Sequence, residues 1–190
     1  MFCAWAEANF SKVLHTPYGF ELDEIQQVQA AKAEGITAAW KKCVELGLRH
    51  LDARRGSFTP NAQKKIEEII ASHVFDQSIL RNKLAHGQWV VALNRANNDI
   101  QEDLTAQIAE IDIVKVSGWK EGHLLLANLV EALIETPEKF ITKDWYQFVV
   151  AIEQHIVEYE GRTFAEHVRR LKFKDQRTAA KSKGRGAVVS

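Results

Sequence analysis

Three side chains that can act together on a phosphodiester, Arg81, Asn82 and His86, lie close together in the sequence. On a helix, Asn82 and His86 would be four residues apart and therefore one turn apart on the same face. Arg81 would be displaced from Asn82 by about 100° around the helix axis, and its long side chain could reach the same patch of surface. The spacing predicts a guanidinium, an amide and an imidazole around one point.

The chemistry of these three groups fits cleavage of RNA without a metal ion. A guanidinium binds a phosphodiester through two parallel hydrogen bonds. An imidazole can transfer a proton near neutral pH, and an amide can orient that ring or hold a phosphate oxygen. Arg81, Asn82 and His86 are therefore the predicted catalytic residues, for attack of an RNA 2′-hydroxyl on the adjacent phosphate.

Each of the three residues also has an ordinary structural explanation. Arg81 could pair with Asp76 or Gln77, and His86 could be a C-terminal cation favoured by the helix dipole. Asn82 could simply lie on the surface. The complete pattern is expected by chance in about one chain in a hundred of this length, which favours the catalytic interpretation.

The elements that must position these side chains are predicted to be helices. Gly35 is expected to kink or break the helix predicted over 22–46, and Gly87 is expected to end the helix predicted over 61–86, directly after His86. The sequence therefore predicts a mainly α fold. Apolar residues at helical spacing indicate helices over residues 22–46, 61–86, 120–135 and 143–160, with a short last one over 164–173.

Two segments do not follow this helical pattern. Residues 88–118 are rich in strand formers and are expected to contain a short β-hairpin, or instead a helix around 103–111. Residues 174–190 are polar and basic, and are expected to form a disordered tail that either adds affinity for RNA or is an inert solvated segment. The predicted organisation is one helical domain over residues 1–173 followed by this tail.

Composition excludes several classes of protein. The chain has 25 basic and 25 acidic side chains, which argues against coating nucleic acid by bulk charge, so RNA would have to bind a local cluster. Its two cysteines form no CxxC pair, and no metal or cofactor is expected. No apolar run approaches about 18 residues, and the N-terminus has no basic leader. The expected location is the cytoplasm, with no membrane partner.

Two further histidines are predicted to have structural roles. His73 lies on the apolar stripe of the helix predicted over 61–86 and is expected to be a hydrogen-bonded core histidine. His123 follows a predicted turn into the next helix and is not expected to take part in chemistry.

The string Arg81-Asn82-x-x-x-His86, on a predicted helix of an α-rich domain, resembles the ribonuclease motif of the HEPN superfamily. In that family a polar residue, commonly Asn, follows the Arg, and the His lies four to six places beyond the Arg. The order of the long predicted helices is also similar to the family's four- to five-helix up-and-down bundle. The resemblance is close at the motif and loose over the bundle, and it leaves 88–118 outside the common core.

The resemblance implies a homodimer whose two motifs face each other and which cuts RNA without a metal. The products would carry a 2′,3′-cyclic phosphate and a 5′-hydroxyl. Members often act as toxins, with an antitoxin partner, or in phage defence. The Tyr that follows the His in toxins regulated by adenylylation is replaced here by Gly87-Gln88, which argues against that regulation.

The sequence is also compatible with two other functions. A catalytically silent HEPN-like bundle could serve as a dimerisation or RNA-binding module, and the neutral net charge favours it mildly. A metal-dependent enzyme is the third option, but the sequence offers no ligand set for it.

Overall fold

The regular structure of this chain is helical, as the sequence predicts. A computed structural model describes residues 2–51 and 58–186. Within these residues the only β-type pairing is an isolated antiparallel bridge between Leu93 and Ile100. The helices are α1 (Phe2–Leu14), α2 (Leu22–Lys32), α3 (Ile36–Arg49), α4 (Phe58–Ile70), α5 (Asp76–Ala85), α6 (Glu102–Ala109), α7 (Ile113–Glu135), α8 (Pro137–Lys139), α9 (Trp145–Glu160) and α10 (Phe164–Gly186).

Two glycines end or separate helices where the sequence predicts. Gly35 has a φ of +130° and separates α2 from α3. Gly87 has a φ of +78° and follows α5, where the N–H of Gln88 donates to the carbonyl of Lys83 at 3.0 Å and that of Gly87 to Leu84 at 3.1 Å. This pair of bonds closes a helix C-terminus on a left-handed residue, a conformation that glycine adopts without a Cβ clash.

The core is built around α7, which packs against α1, α3 and α9. The apolar helix predicted over 120–135 is thus a core helix, although Leu124 on its outer side is 43% exposed. A close aromatic contact between Phe10 of α1 and Trp40 of α3, with ring centroids 4.9 Å apart, lies in the same core. The α7 side chains that are fully or almost fully buried include Leu126, Ala127, Leu129, Val130, Leu133 and Ile134.

The helix that carries the predicted catalytic residues is continuous with α4 through a π-helical turn at Ala71–Phe75. The sequence predicts one long or two nearly continuous helices here, and this is confirmed. The wider turn brings His73 and Val74 inward, where both are buried. Such π-turns inside helices are frequently found at functional sites.

The expected β-hairpin within 88–118 is wrong, and the alternative of a helix there is correct. Helix α6 and the loop before it pack on α5 through a second small core of Leu80, Ala92 and Ile108. Residues 111–116, which alternate like a strand, instead lead into and begin α7, because Asp112 accepts a hydrogen bond from the N–H of Lys115 at 2.8 Å and caps that helix. Tertiary packing overrides a short β pattern in this way.

The last helix is longer than the sequence predicts. Helix α10 runs to Gly186 rather than ending near Phe173, so the backbone of residues 174–186 is helical where disorder was expected. Lysine, arginine, glutamine and alanine, all good helix formers, dominate this segment. Residues 187–190 of the expected tail lie outside the described residues. Of the helices in the described ranges, none has the combined length and apolarity to cross a bilayer.

Candidate functional site

The predicted catalytic residues lie on the solvent side of α5. Leu80 is buried and Leu84 partly buried against the second core, which fixes that face of the helix inward. Arg81, Asn82 and His86 are all exposed. His86 directly follows the helix, and its N–H donates to the carbonyl of Asn82 at 3.1 Å. Arg81 and Asn82 therefore lie on one exposed side of α5, and His86 lies at the C-terminal end of that helix.

Arg81 forms an ion pair with a residue far from it in the sequence. Its Nη2 donates to Oε1 of Glu7, in α1, at 2.8 Å. The side chains of Arg81 and Glu7 are 43% and 50% exposed, so the pair is worth no more than about 0.2–1 kcal/mol. A phosphate could replace Glu7 at this guanidinium without a large loss of stability.

A groove of about 870 Å³ opens beside α5. Its walls come from the first half of α1, the junction between α2 and α3, and the π-turn with the start of α5. Arg81 and Asn82 line it, whereas His86 is not among its lining residues. The structure thus brings two of the three predicted site residues to one groove and leaves the third farther along the helix. The volume is that of a typical pocket for a small organic ligand.

His73 lies in the wall of this groove, although it is 6% exposed. Its Nδ1 lies 2.7 Å from the hydroxyl of Ser72 and 3.1 Å from the carbonyl oxygen of Ile69. Burial lowers the pKa of His73, and the bond to Ile69 opposes that shift. The prediction of a hydrogen-bonded core histidine is confirmed.

His123 of α7 also lines the groove and is 3% exposed. Its ring is surrounded by aromatic side chains, with the centroids of Trp5 and Trp40 at 5.6 and 5.5 Å. Burial lowers its pKa to about 4, and the nearby carbonyls of Ala6 and His73 oppose part of this change. Nevertheless its Nε2 has no hydrogen-bond partner. A buried nitrogen without a partner is uncommon, since its desolvation is not compensated.

Two glycines of α7 let the neighbouring elements approach its backbone. A Cβ at Gly122 would lie 2.3 Å from Cδ2 of His73 and 3.0 Å from Nε2 of His155. A Cβ at Gly118 would lie 2.3 Å from the Tyr159 ring. Gly122 therefore lets the π-turn, and with it His73, lie close to the backbone of α7, and Gly118 does the same for Tyr159 of α9.

Sequence reasoning misses two residues of this site. Glu7 is 74 residues from Arg81, in a helix that the sequence pattern did not predict, so no local signal could reveal the pair. His123 was expected to have no chemical role. The Gly118-x-x-x-Gly122 spacing in α7 was the available sign that other groups approach this helix closely.

Metal ligands are not assembled in this region. Over residues 2–51 and 58–186, no group of three or more His, Cys, Asp or Glu side chains is placed to hold a metal ion. Comparison of the chain with protein-family models, curated proteins and solved structures gave no significant match. The residues of the site are therefore the basis for a functional assignment.

Proposed function

We propose that this protein is a metal-independent endoribonuclease of the HEPN type. The observation that carries the proposal is the complete set of Arg81, Asn82 and His86, all exposed, with Arg81 and Asn82 on the face of α5 that lines a groove and His86 directly after that helix. The biological role proposed with it is that of a cytoplasmic toxin or phage-defence effector. An antitoxin protein would be its partner in the first case.

In the proposed reaction, His86 removes the proton from an RNA 2′-hydroxyl. The freed oxygen attacks the adjacent phosphorus, and the bond from phosphorus to the 5′-oxygen breaks. The 5′-oxygen then takes a proton from the imidazolium of His86. The products are a 2′,3′-cyclic phosphate and a 5′-hydroxyl, with no water or metal consumed. Arg81 binds the non-bridging oxygens and their developing charge, and Asn82 orients the imidazole or the phosphate.

A homodimer forms part of the proposal. Its support is an apolar surface next to the motif, where Trp89 is 68% and Val90 77% exposed immediately after Gln88. Large apolar side chains grouped on a surface commonly mark an interface. An isologous contact there would bring the two motifs toward each other. Light scattering over a concentration series tests this, and a monomer at tens of micromolar would contradict it.

The central experiment compares His86→Ala, Arg81→Ala and Asn82→Ala in RNA cleavage and thermal unfolding, with EDTA present. Loss of a proton-transfer group or a charge clamp costs about 10² to 10⁴ in rate, so the first two variants should nearly abolish cleavage and the third should reduce it less. All three side chains are exposed, so each variant should stay within about 0.5 kcal/mol of the parent in stability.

Matched controls are His15→Ala and Arg49→Ala. His15 is an exposed histidine outside α5, and Arg49 is an exposed arginine paired with Glu45. Both should cut RNA like the parent. A folded His86→Ala variant that cuts at the parental rate would refute the enzymatic proposal.

The second candidate is a catalytically silent bundle that binds RNA or dimerises. The observations in its favour are the ion pair between Arg81 and Glu7 and the position of His86 outside the groove. In that case the parent itself would leave RNA uncut, while Arg81→Ala would still weaken RNA binding.

A further inference from the structure

The ion pair between Glu7 and Arg81 links two walls of the groove. Nη2 of Arg81, in α5, donates to Oε1 of Glu7, in α1, at 2.8 Å, and both residues line the groove. Although Asp76 and Gln77 are much nearer to Arg81 in the sequence, the carboxylate that pairs with it comes from α1. The contact therefore depends on how α1 lies against the rest of the fold.

Helix α1 is packed against α7, so Glu7 has a fixed place at the groove. Close to Glu7, the ring of Trp5 lies 5.6 Å from that of His123 in α7. The side chains of α1 that are buried in the main core are Phe10, Val13 and Leu14. Because these contacts hold the backbone of α1, Glu7 cannot follow Arg81 when the arginine side chain changes direction.

The ion pair also keeps Arg81 on the groove side of α5. Arg81 lines the groove together with Asn82, whereas His86 follows the end of α5 and is not part of that lining. Five residues along a helix correspond to a rise of about 7.5 Å. One phosphate can therefore contact both Arg81 and His86 only when the long arginine side chain turns toward the C-terminal end of α5. That turn takes the guanidinium away from Glu7, and the ion pair must then break.

Glu7 also competes with a phosphate through its charge. A carboxylate and a phosphodiester use the same donors of a guanidinium, and a phosphate bound at Arg81 beside Glu7 would be repelled by the carboxylate. The side chains of Arg81 and Glu7 are 43% and 50% exposed, so the pair holds the guanidinium by a factor of no more than about five. A substrate can therefore break the pair, with a modest loss of affinity.

We propose that Glu7 is an autoinhibitory residue for Arg81. In the free protein its carboxylate occupies the guanidinium and keeps it at the groove. Binding of a phosphodiester displaces the carboxylate, and Arg81 turns toward His86. Glu7 acts through Arg81 and is thus a positioning residue, without contact to the reacting atoms. The effect on RNA cleavage rests on the proposed ribonuclease function, whereas the competition for Arg81 is measured with inorganic phosphate alone.

Glu7→Gln removes the charge and keeps a hydrogen-bond acceptor for Arg81. The test follows the Nε–H signal of Arg81 by NMR, assigned with Arg81→Lys, during titration with inorganic phosphate at constant ionic strength. We expect phosphate to bind about two- to tenfold more tightly to this variant than to the parent, because the competing charge is gone. Equal affinities, or no response of Arg81 to phosphate in either protein, would overturn the proposal. Weaker binding would also contradict it, since Glu7 would then hold Arg81 ready for the anion.

Glu153→Gln is the matched control for this substitution. Glu153 of α9 pairs with Lys65 of α4 at 2.8 Å, and their side chains are 54% and 37% exposed, so the distance and the exposure resemble those of the pair at Glu7. The same charge is removed away from the groove lining, and the affinity of Arg81 for phosphate should remain that of the parent. A similar gain in both variants would mean that net charge alone acts, which refutes the role of Glu7.

Cleavage kinetics connect this contact with the proposed reaction. With a mixed-sequence oligoribonucleotide, Glu7→Gln should lower KM by about two- to tenfold and leave kcat nearly unchanged, since a contact made only in the free protein opposes binding. In a His86→Ala background RNA affinity should rise by the same factor, and adding Arg81→Ala should abolish the gain. An unchanged KM or a lowered kcat would overturn the autoinhibition. If Glu7→Gln binds phosphate more tightly but neither it nor the parent cuts RNA, the competition at Arg81 stands and the ribonuclease function fails.

Discussion

Replacement of Gly122 by alanine should destabilise the protein, although alanine is the better helix former. The new Cβ would lie 2.3 Å from Cδ2 and 2.8 Å from Nε2 of His73, whereas carbon atoms in contact are about 3.5–4.0 Å apart. The His73 ring would therefore have to move by about 1 Å. It cannot do so freely, because it is buried and close to Ser72 and Ile69, and His155 lies on the same side of Gly122.

The magnitude follows from two opposing effects. Extra volume in a packed core costs about 1–3 kcal/mol, and the present contact belongs to the upper part of that range because two rings are affected. Alanine gains about 1 kcal/mol over glycine inside a helix. The net destabilisation expected is about 1–2 kcal/mol, which lowers Tm by roughly 2–8 °C in a chain of this size.

Gly161→Ala is the matched control for the same substitution. Gly161 ends α9 with a φ of −87°, and the nearest atom to its Cβ would be the carbonyl oxygen of Glu158 at 4.0 Å. Alanine should stabilise there by about 0.4–1 kcal/mol, chiefly by restricting the unfolded chain. Opposite signs are thus expected from one substitution at two positions.

Thermal unfolding followed by circular dichroism, with urea titration for the free energy, measures both variants. Gly118→Ala should fall between them, because the ring it approaches belongs to Tyr159, which is only half-buried and can turn outward. A Gly122→Ala protein as stable as the parent would refute the close packing of α7 against the π-turn, and with it the position of His73 beneath the groove.

Three other outcomes are expected. Burial raises the pKa of the Cys43 thiol to about 12, so in a Cys3→Ser background a thiol reagent should modify Cys43 only on unfolding, and rapid labelling of the native protein would contradict this. The pKa of His123 is about 4 in the folded protein and about 6.5 in the unfolded chain. The protein therefore has its full stability above pH 6.5 and loses stability as the pH falls toward 4, because the unfolded chain then binds a proton that the folded protein does not. Between pH 7.5 and 5 this histidine alone should cost about 2 kcal/mol of unfolding free energy, with His73 adding in the same direction. Equal free energies of unfolding in urea at pH 7.5 and 5 would exclude this lowered pKa of His123. Truncation after Phe173 should leave Tm nearly unchanged, because the side chains described beyond it, up to Arg177, are exposed, and should weaken RNA binding most at low salt. Unchanged binding at low salt would remove the RNA role of this segment.

The sequence by itself determined the features that depend on near neighbours. Helical spacing of apolar residues and the two glycines at 35 and 87 located the main helices and their ends, since a left-handed φ is a local property of glycine. The relation of Arg81 to Asn82 was likewise available in advance, because neighbouring residues on one helix have a fixed geometry, whereas His86 lies just beyond the end of that helix. Their exposure followed once Leu80 and Leu84 were recognised as the inner face.

The tertiary structure decided the features that depend on residues far apart in the chain. The partner of Arg81 is Glu7, in a helix without a clear periodic signal, and the groove exists only because α1, the start of α3 and α5 meet. The strand-like pattern at 111–116 gave way to a helix because α7 gains a buried position in the core; the Asp112 cap that supports this helix is a local contact with Lys115. Burial and the missing partner of His123 depend on rings from α1 and α3. Local sequence encodes the backbone geometry of a helix, but the surroundings of a side chain are set by packing between segments that no local pattern connects.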